Sequence, residues 1–263
     1  MTLIDALLSV PAVRTAQRGA KNWLDLQESL LTALMRGVAP LARGRLVDVG
    51  CGVKPYEEIF RPYVTEYIGV EYEPTFVATA ASSRAAKPDV VYDGTHLPFE
   101  AATFDTVLSV QVLEHTPKPN ELLAEMARVL KPDGILILSA PFSFRLHEEP
   151  HDYFRYTPHG LRVMCEAVGL EVTETRPMGN LWSLLGHKLN SFLAFRVGRM
   201  QGAAQAMGKL GHESTRQSKP RYWTLPVVAP MMVGVSLAAR VLDRAAPDPT
   251  ESLGYLVLAR RRG

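Results

Sequence analysis

Residues 47–56 read "VDVGCGVKPY", a strand-like apolar run that passes through a glycine turn into a short helix. Gly50 and Gly52 can adopt positive φ and let the backbone approach a ligand closely. A turn of this kind, between a strand and a helix, commonly holds a cofactor through its backbone. Lys54 and Pro55 stand where a third glycine is often found. The turn therefore predicts a cofactor site but does not by itself identify the cofactor.

Short β-rich runs alternate with helical segments on either side of this turn. The predicted strands are continuously apolar, which is typical of a parallel sheet covered on both faces. Alternating strands and helices predict an α/β, doubly wound fold with right-handed crossovers. Strands are predicted at 44–50, 65–71, 90–94, 104–110, 135–142, 170–177 and 254–262. Helices are predicted within 2–38 and at 56–62, 119–130 and 157–169.

The segment between the sixth and seventh strands is far longer than an ordinary connection. Such an elaboration commonly forms a lid, an acceptor pocket or an interface. Its apolar run at 223–239 carries no charge but is short for a membrane span, which needs about 20 residues. A buried or interface-lying helix is favoured there. We divide the chain into an N-terminal helical cap (1–44), a core (45–177), a helical insertion (178–252) and a last core strand (253–263).

The composition limits the functions that the chain can have. Of its 263 residues 47% are hydrophobic, which is enough for a sizeable core and excludes a disordered chain. The net charge is only +2, and the sequence has no Lys/Arg stripe with interleaved aromatic residues, so nucleic acid is not an expected partner. Cys51 and Cys165 form neither a disulfide framework nor a metal-ligand spacing. With an N-terminus that lacks a basic leader, these features predict a cytoplasmic location.

Three cofactor classes use glycine turns, and the residues around this one separate them. A nucleoside-triphosphate loop needs the pattern G-x-x-x-x-G-K-[ST], which this turn does not have. A dinucleotide loop needs a third glycine where Pro55 stands. Its pyrophosphate would also meet the carboxylates of Asp48, Glu57 and Glu58. S-adenosylmethionine (SAM) has no phosphate and carries a positive sulfonium, so the acidic surroundings favour SAM.

Two further acidic residues end predicted strands at the same edge of the sheet. Glu71 follows Gly50 by 21 residues, and a carboxylate at the end of a second strand can accept both ribose hydroxyls. Asp93 can accept a hydrogen bond from the adenine amino group, and the backbone of Gly94 can reach the ring. Ligands of open α/β sheets bind at this carboxyl edge, so these segments predict one cofactor site.

With these residues in place, the chain from about 45 to 177 resembles the class I SAM-dependent methyltransferases, of the bacterial branch often labelled type 11. The resemblance is carried by "VDVGCG" (47–52), "GVE" (69–71), "DGTHLPFEAATFDTVLSVQVLEH" (93–115), "RVLKPDGILILSAPF" (128–142) and "HDYFRYTPHGLR" (151–162). It implies a mostly parallel, seven-stranded, Rossmann-like sheet with an antiparallel last strand. It also implies that SAM lies over the first half of the sheet and the acceptor over the second.

The resemblance further implies roles for single residues. Asp48, Gly50 and Gly52 would cradle the methionine end of SAM, and Gln111 would lie beside the methionine amino group. The full cofactor-binding set expected on these grounds is Asp48, Gly50, Cys51, Gly52, Glu71, Tyr72, Asp93, Gly94 and Gln111.

Lys54 and Pro55 are where the turn departs from the pattern of many family members. Pro55 fits the first position of the following helix. Lys54 is expected to point to solvent or to pair with Glu57 or Glu58. On this interpretation the loop needs only Gly50 and Gly52 to bind SAM.

Methyl transfer is an in-line displacement at the sulfonium, so positioning supplies much of the rate. A base is needed only where the acceptor must lose a proton. The catalytic candidates are His115, His151 and Tyr153, although His115 can instead only pack near the methionine. An Asp152–Arg155 pair that merely pins its loop is as good an explanation as substrate contact. The expected acceptor-binding residues are His147, Asp152, Arg155 and Tyr156.

The stretch "HEEPHD" (147–152) contains residue types that bind metals. Its ligands nevertheless crowd into one loop and lack the i, i+4 spacing of a helical metal site. Solvation at the surface is favoured, and we expect no metal.

The acceptor is not determined by these motifs. Aromatic and aliphatic side chains in the insertion favour an apolar roof, and hence a small, hydrophobic or lipid-linked acceptor. The same side chains would equally suit a homodimer or docking through residues 180–240 at the inner membrane surface. The sequence thus predicts a SAM-dependent methyltransferase. A non-catalytic SAM-binding or membrane-associated interaction protein is the alternative, and an NAD-dependent oxidoreductase is disfavoured by the missing third glycine.

Overall fold

The computed structural model describes residues 25–72, 88–198 and 221–262. The strands are β1 Arg45–Val49, β2 Glu66–Tyr72, β3 Val90–Tyr92, β4 Phe104–Val110, β5 Leu130–Pro141, β6 Leu170–Pro177 and β7 Gly254–Arg261. The α-helices are α1 Leu26–Val38, α2 Glu57–Phe60, α3 Pro119–Val129, α4 Pro158–Ala167, α5 Leu181–Phe192 and α6 Leu225–Ala245. Short 3-10 turns cover Ala39–Leu41, Arg61–Tyr63, Leu113–His115 and Tyr222–Thr224, and a π-helical turn covers Leu193–Val197. The helix expected before residue 25 lies outside the described residues.

The seven strands form one sheet in the order β3-β2-β1-β4-β5-β7-β6. Strand β1 is parallel to β2 on one side and to β4 on the other. Strand β7 lies antiparallel between β5 and β6. This arrangement confirms the predicted doubly wound α/β fold with its antiparallel last strand. The strand order reverses between β1 and β4, and the carboxyl edge at such a switch point is where α/β sheets bind ligands.

Both faces of the sheet are buried, as the continuously apolar strands predict. In β5, Leu136 and Leu138 belong to the apolar cluster that contains the buried faces of α3 and α4. Their neighbours Ile135 and Ile137 belong to a second cluster, on the opposite face, with α1, α2 and α5. Alternation along one strand therefore places a helical layer on each side of the sheet.

The sequence also predicts that Thr157 caps the helix that follows it and that the glycine of the "KPDG" turn (131–134) adopts positive φ. Helix α4 begins as predicted, with the Thr157 side chain accepting the Gly160 N–H and with a proline in the first position. The "KPDG" turn is different, because Asp133 rather than Gly134 adopts positive φ, at 62°. Asp tolerates this left-handed conformation, and its carbonyl accepts a hydrogen bond from Arg43 at 2.7 Å. Pairing with β4 also continues through this segment with a bulge, so β5 begins earlier than predicted.

Helices α5 and α6, hereafter the helical pair, form the insertion between β6 and β7. Gly186 lets the two helices approach closely, since a side-chain Cβ there would lie 2.9 Å from that of Ala239. Asn190 donates to Ser236 Oγ at 2.9 Å across the same interface. By length and composition α6 could cross a membrane, and only 22% of its apolar window is buried. Of the two predictions for this segment, a buried helix or an interface-lying helix, the buried one is therefore wrong.

Candidate cofactor and acceptor site

The glycine turn follows β1 at the switch point of the sheet. Gly50 has φ of 73°, and a side chain there would overlap Val112, the second residue after β4. The N–H groups of Gly50 and Cys51 both donate to the Val70 carbonyl, at 2.9 and 3.1 Å. The Cys51 side chain is buried beneath the loop against Gly69, and burial raises the pKa of its thiol. Only the backbone of Cys51 is thus left to face a cofactor.

Glu71 lies near the end of β2, with its carboxylate directed at the glycine loop. One carboxylate oxygen accepts the Gly52 N–H at 2.6 Å, and the other accepts the Tyr72 N–H at 2.9 Å. Glu71 is only 7% exposed, and burial raises its pKa against the effect of these two hydrogen bonds. Each carboxylate oxygen can accept a second hydrogen bond. The structure therefore brings the predicted ribose-binding group onto the loop that is predicted to hold the methionine end.

Lys54 occupies the position of the missing third glycine and keeps a glycine-like backbone, with φ of 54°. Its side chain is only 7% exposed and places Nζ 2.6 Å from the carboxylate of Asp89. Asp89 also accepts the Gly69 N–H of β2 at 2.7 Å. The expectation that Lys54 points to solvent or pairs with Glu57 or Glu58 is therefore wrong. Glu57, one of those expected partners, pairs with Arg61 instead, at 2.6 Å.

The predicted place of Pro55 at the first helical position is also wrong. Tyr56 is the N-cap residue, and α2 begins at Glu57. The reason is local: the Glu57 N–H donates to the Lys54 carbonyl at 3.3 Å, so Pro55 and Tyr56 lie inside a turn that precedes the helix.

Asp48 lies in β1 and is only 2% exposed. Its carboxylate accepts a hydrogen bond from the hydroxyl of Tyr67 on β2 at 2.5 Å. Burial raises the pKa of Asp48 to about 7 in spite of this bond, and the negative charge of Glu71 adds to the shift. The site therefore has a buried acid beneath the glycine loop, and the contact of Asp48 with methionine stays a prediction.

The residues expected on the adenine side lie around the end of β3. Gly94 has φ of 87°, and a side-chain Cβ there would lie 2.9 Å from the Tyr72 ring. Tyr72 is 42% exposed and so presents an aromatic face at this edge. One oxygen of Asp93 accepts the N–H groups of His96 and Thr95, at 2.7 and 2.8 Å, and these bonds lower its pKa. A bond from adenine to Asp93 would therefore involve its other oxygen.

Gln111 follows the last residue of β4 in the left-handed region, with φ of 57°. Its N–H donates to the Ser139 carbonyl at 3.0 Å, and its side-chain amide donates to Ser139 Oγ at 3.2 Å. Backbone strain of this kind in a residue other than glycine is concentrated at functional sites. Gln111 thus turns the chain at the switch point, as a residue beside the cofactor would need to do.

The loop after β5 is fixed by an ion pair between Asp152 and Arg155. The guanidinium of Arg155 contacts both oxygens of Asp152 at 2.6 and 2.7 Å and also donates to the Arg145 carbonyl at 3.0 Å. The Asp152 side chain is 1% exposed. Burial opposes its ionised form, but hydrogen bonds from Arg155 and the His147 backbone outweigh burial and lower its pKa to about 2. The geometry favours the loop-pinning alternative, and substrate contact by this pair stays a prediction.

His147 connects this loop to the helical pair. Its Nδ1 lies 3.1 Å from the Asp152 carboxylate. Burial, followed by the nearby His115, lowers the pKa of His147 to about 4, so its ring is neutral at pH 7. The ring of Phe144 lies 5.0 Å from His147 on one side and 5.0 Å from His187 of α5 on the other. The helical pair therefore contacts the loop in which the acceptor residues are predicted.

His151 and Tyr153 form the exposed part of the same loop. His151 Nδ1 lies 2.9 Å from the Tyr153 hydroxyl, and Tyr153 is 43% exposed. Tyr156, by contrast, is buried and donates its hydroxyl to the Leu113 carbonyl at 2.9 Å. The first two residues are open to an acceptor, whereas Tyr156 is engaged in holding the loop to the segment after β4.

Glu114 and His115 end the 3-10 turn that follows β4. Glu114 is fully buried, and among the described residues neither oxygen of its carboxyl group has a hydrogen-bond partner. Burial raises its pKa to about 8. His115 Nδ1 lies 2.7 Å from the His151 carbonyl, which can only accept. In the neutral ring Nδ1 therefore carries the proton, and Nε2 presents a lone pair 3.8 Å from the carboxylates of Glu114 and Glu148.

Sequence reasoning missed Glu114, Tyr67 and Asp89 as members of the site. Glu114 stands within the quoted "LEH", but nothing in the sequence indicates that its carboxyl group is buried. Tyr67 reaches Asp48 because β2 lies beside β1, and Asp89 reaches Lys54 only because the loop folds back over β2. These contacts depend on the pairing of elements rather than on any motif.

Comparison with known proteins agrees with this geometry. Residues 47–138 match a family model described as a methyltransferase domain. An uncharacterized methyltransferase of Mycobacterium marinum (strain ATCC BAA-535 / M) is 40% identical over 96 residues, which are 36% of this chain and 38% of that protein. An uncharacterized methyltransferase of Mycobacterium tuberculosis (strain ATCC 25618 / H37Rv) is 38% identical over a segment of the same length and coverage. The match thus spans less than half of these relatives.

Among solved structures, the chain is similar to the [4+2]-cyclase SpnF, with a TM-score of 0.54 and 21% identity. The similarity covers 88% of this chain and 80% of the cyclase. At this identity the likeness concerns the fold alone.

The raised pKa of Asp48 predicts a dependence of stability on pH. The unfolded carboxyl ionises near 3.8, whereas the folded one keeps its proton until about pH 7. The free energy of unfolding should therefore fall as the pH rises from about 4 to about 7. Asp48→Asn should remove a fall of about 2–4 kcal/mol, measured by urea unfolding across this range. Asp105→Asn should keep the fall, because the pKa of Asp105 is lowered instead; an unchanged slope in Asp48→Asn would contradict this assignment.

The backbone of Lys54 predicts an unusual order of substitutions. Lys54→Ala loses the ion pair with Asp89 and retains a strained positive φ, whereas Lys54→Gly loses only the ion pair. The glycine variant should be more stable than the alanine variant by about 1 kcal/mol, as measured by thermal or urea unfolding. An exposed helical site gives the matched control, because at His159 of α4 glycine should be less stable than alanine. Equal stabilities at Lys54 would argue against a left-handed backbone there.

Proposed function

We propose that this chain, whose residues 47–138 match the methyltransferase-domain family model, transfers a methyl group from SAM to a small hydrophobic or lipid-linked acceptor. The observation that carries the proposal is the Gly52–Glu71 hydrogen bond, at 2.6 Å, at the carboxyl edge of the sheet. This bond joins a close-approach glycine loop to the carboxylate that is predicted to bind the ribose. S-adenosylhomocysteine is then the product that leaves this site.

The loop amides support SAM over a dinucleotide. A pyrophosphate is held by backbone N–H groups that point at it. In this loop, Gly50 and Cys51 donate to Val70, Gly52 donates to Glu71, and Lys54 donates back to Cys51. These four donors are directed to protein acceptors. The Glu71 carboxylate beside the loop would also repel a phosphate, whereas it would attract a positive sulfonium.

Positioning is the main contribution of this site to the reaction. The acceptor atom attacks the methyl carbon in line with the breaking carbon–sulfur bond, whose electron pair returns to sulfur. An acceptor that must lose a proton needs a base at hydrogen-bond distance. His115 is a candidate through Nε2, and the exposed His151–Tyr153 pair is the other, because both lie after the strands of the second half-sheet.

The first test measures cofactor binding and turnover separately. Glu71→Ala should weaken the binding of S-adenosylhomocysteine by at least tenfold in calorimetry, because it removes the carboxylate that would accept the ribose hydroxyls and that fixes the loop. Glu66→Ala is the matched control, since Glu66 is an exposed carboxylate of the same strand that pairs only with Arg45 among the described residues. The control should bind S-adenosylhomocysteine as the wild type does.

The outcomes separate the candidate functions. Binding of S-adenosylhomocysteine together with methyl transfer to extracted lipids or small hydrophobic molecules supports the proposal. Binding without turnover on any acceptor would favour a non-catalytic SAM-binding protein. Binding of NADH, but not of S-adenosylhomocysteine, would favour the oxidoreductase and overturn the proposal.

We also propose that the helical pair brings the site to a membrane surface. The exposed residues of α6 between Pro226 and Leu242 are all apolar or glycine, whereas a helix that faces water normally presents polar residues there. The helical pair also contacts the acceptor loop through His187 and Phe144. We define the apolar face as Leu185, Leu189 and Phe192 of α5 with Val227, Met231 and Val241 of α6, all of which are more than 45% exposed.

Vesicle binding tests this membrane contact. The wild type should sediment with phosphatidylcholine vesicles, and Val227→Asp combined with Met231→Asp should lower the partition coefficient at least tenfold, because each buried apolar side chain contributes about 1.5–3 kcal/mol. Val163→Asp is the matched control, since Val163 is a 66% exposed valine on α4, outside the helical pair. Equal sedimentation of the double variant and the wild type would exclude the apolar face as the contact.

A further inference from the structure

The carboxyl group of Glu114 is the least satisfied polar group of the site. Its side chain has no solvent exposure, and neither oxygen has a hydrogen-bond partner among the described residues. Buried polar groups are normally paired, and an unpaired one needs an explanation such as a bound ion. The carboxyl group lies in the turn after β4, next to the predicted cofactor residues.

Two histidines converge on this carboxyl group. One ligand atom from each of Glu114, His115 and His147 lies within 4.8 Å of the other two. His115 Nε2 is 3.8 Å from a Glu114 oxygen. Donor atoms around a zinc ion, with bonds of about 2.0–2.2 Å, are roughly 3.3–3.5 Å apart. The distances between these ligand atoms therefore need to shorten by at most about 1.5 Å for the three groups to surround one ion.

Both histidines are already oriented as metal ligands usually are. A metal-bound histidine generally donates its other ring N–H to a carbonyl or a carboxylate. His115 Nδ1 faces the His151 carbonyl at 2.7 Å, and His147 Nδ1 faces the Asp152 carboxylate at 3.1 Å. The ion pair with Arg155 fixes Asp152 in turn. The Asp152–Arg155 pair therefore holds the loop and also orients His147.

We propose that Glu114, His115 and His147 bind a divalent transition-metal ion such as Zn²⁺ or Mn²⁺. Two imidazoles with one carboxylate suit these ions rather than Ca²⁺ or Mg²⁺, which prefer sites made of oxygen ligands. The ion would neutralise the buried carboxylate. Because it would also occupy His115 Nε2, the His151–Tyr153 pair is the base candidate in the metal-bound protein. Glu148, 41% exposed and 3.8 Å from His115 Nε2, lies at the open side, where a fourth ligand or an acceptor oxygen would bind.

The proposal differs from the expectation of no metal, which considered only ligands of the "HEEPHD" loop. Of those, the structure uses His147 alone and adds two residues from the turn after β4. It goes beyond the proposed methyl transfer, because metal binding can be measured without SAM and without an acceptor.

Titration of the metal-free protein tests the site. The full chain, with its affinity tag removed and after treatment with a chelator, is titrated with Zn²⁺ by calorimetry and with Co²⁺ by visible absorption. We expect one equivalent of Zn²⁺ and the absorption bands of a nitrogen-coordinated Co²⁺. Glu114→Gln and His147→Gln should each weaken binding at least tenfold. His159→Gln is the control, because His159 is an exposed histidine on α4, and it should bind as the wild type does.

The remaining outcomes count against the proposal. Weak, unsaturable binding by the wild type, or tight binding that both ligand variants retain, would overturn it. Circular dichroism of each metal-free variant establishes that it is folded, and His147→Gln decides the matter if Glu114→Gln does not fold. Binding of S-adenosylhomocysteine by the metal-free wild type keeps the two proposals separate, because a protein that binds it but no metal would fail only this one.

Discussion

The hydrogen bond from the Gly52 N–H to the Glu71 carboxylate is the interaction on which the cofactor site depends. This bond joins the turn after β1 to the end of β2. The accepting carboxylate of Glu71 is buried, and burial raises its pKa. Burial of Glu71 is tolerable because both of its oxygens accept backbone N–H groups. The same bond directs a loop amide away from the ligand, which is why this loop suits a cofactor without phosphates.

The site contains two further buried acids, Asp48 and Glu114, which differ in their hydrogen-bond partners. Asp48 accepts the hydroxyl of Tyr67 and can remain neutral in place. Glu114 has no such partner among the described residues, although two histidines lie beside it. Asp48, with the neutral Tyr67 hydroxyl as its partner, is a structural part of the site. Glu114, which faces imidazole nitrogens, has the surroundings expected of a metal ligand.

The helical pair relates the site to the protein surface. It packs through Gly186 and Asn190 internally and contacts the loop after β5 through His187, while the apolar face defined above stays exposed. A surface of this kind is costly in water unless something covers it. Its position beside the loop after β5 supports the proposal that an apolar acceptor approaches from this side.

The sequence alone determined the sheet, the glycine turn, Glu71 and the helical insertion, because periodicity, turn chemistry and a known motif order are local properties of the chain. It was wrong about Lys54 and Pro55, and it did not identify Glu114, since salt bridges and burial depend on what other elements place nearby. Lys54 reaches Asp89 by folding back over β2, across 35 residues of sequence. Glu114 is buried, without a hydrogen-bond partner among the residues that the structure describes, because the loops after β4 and β5 contact each other. Those loops meet because the tertiary structure places the parallel strands β4 and β5 side by side. The spacing of residues along the chain does not predict that contact.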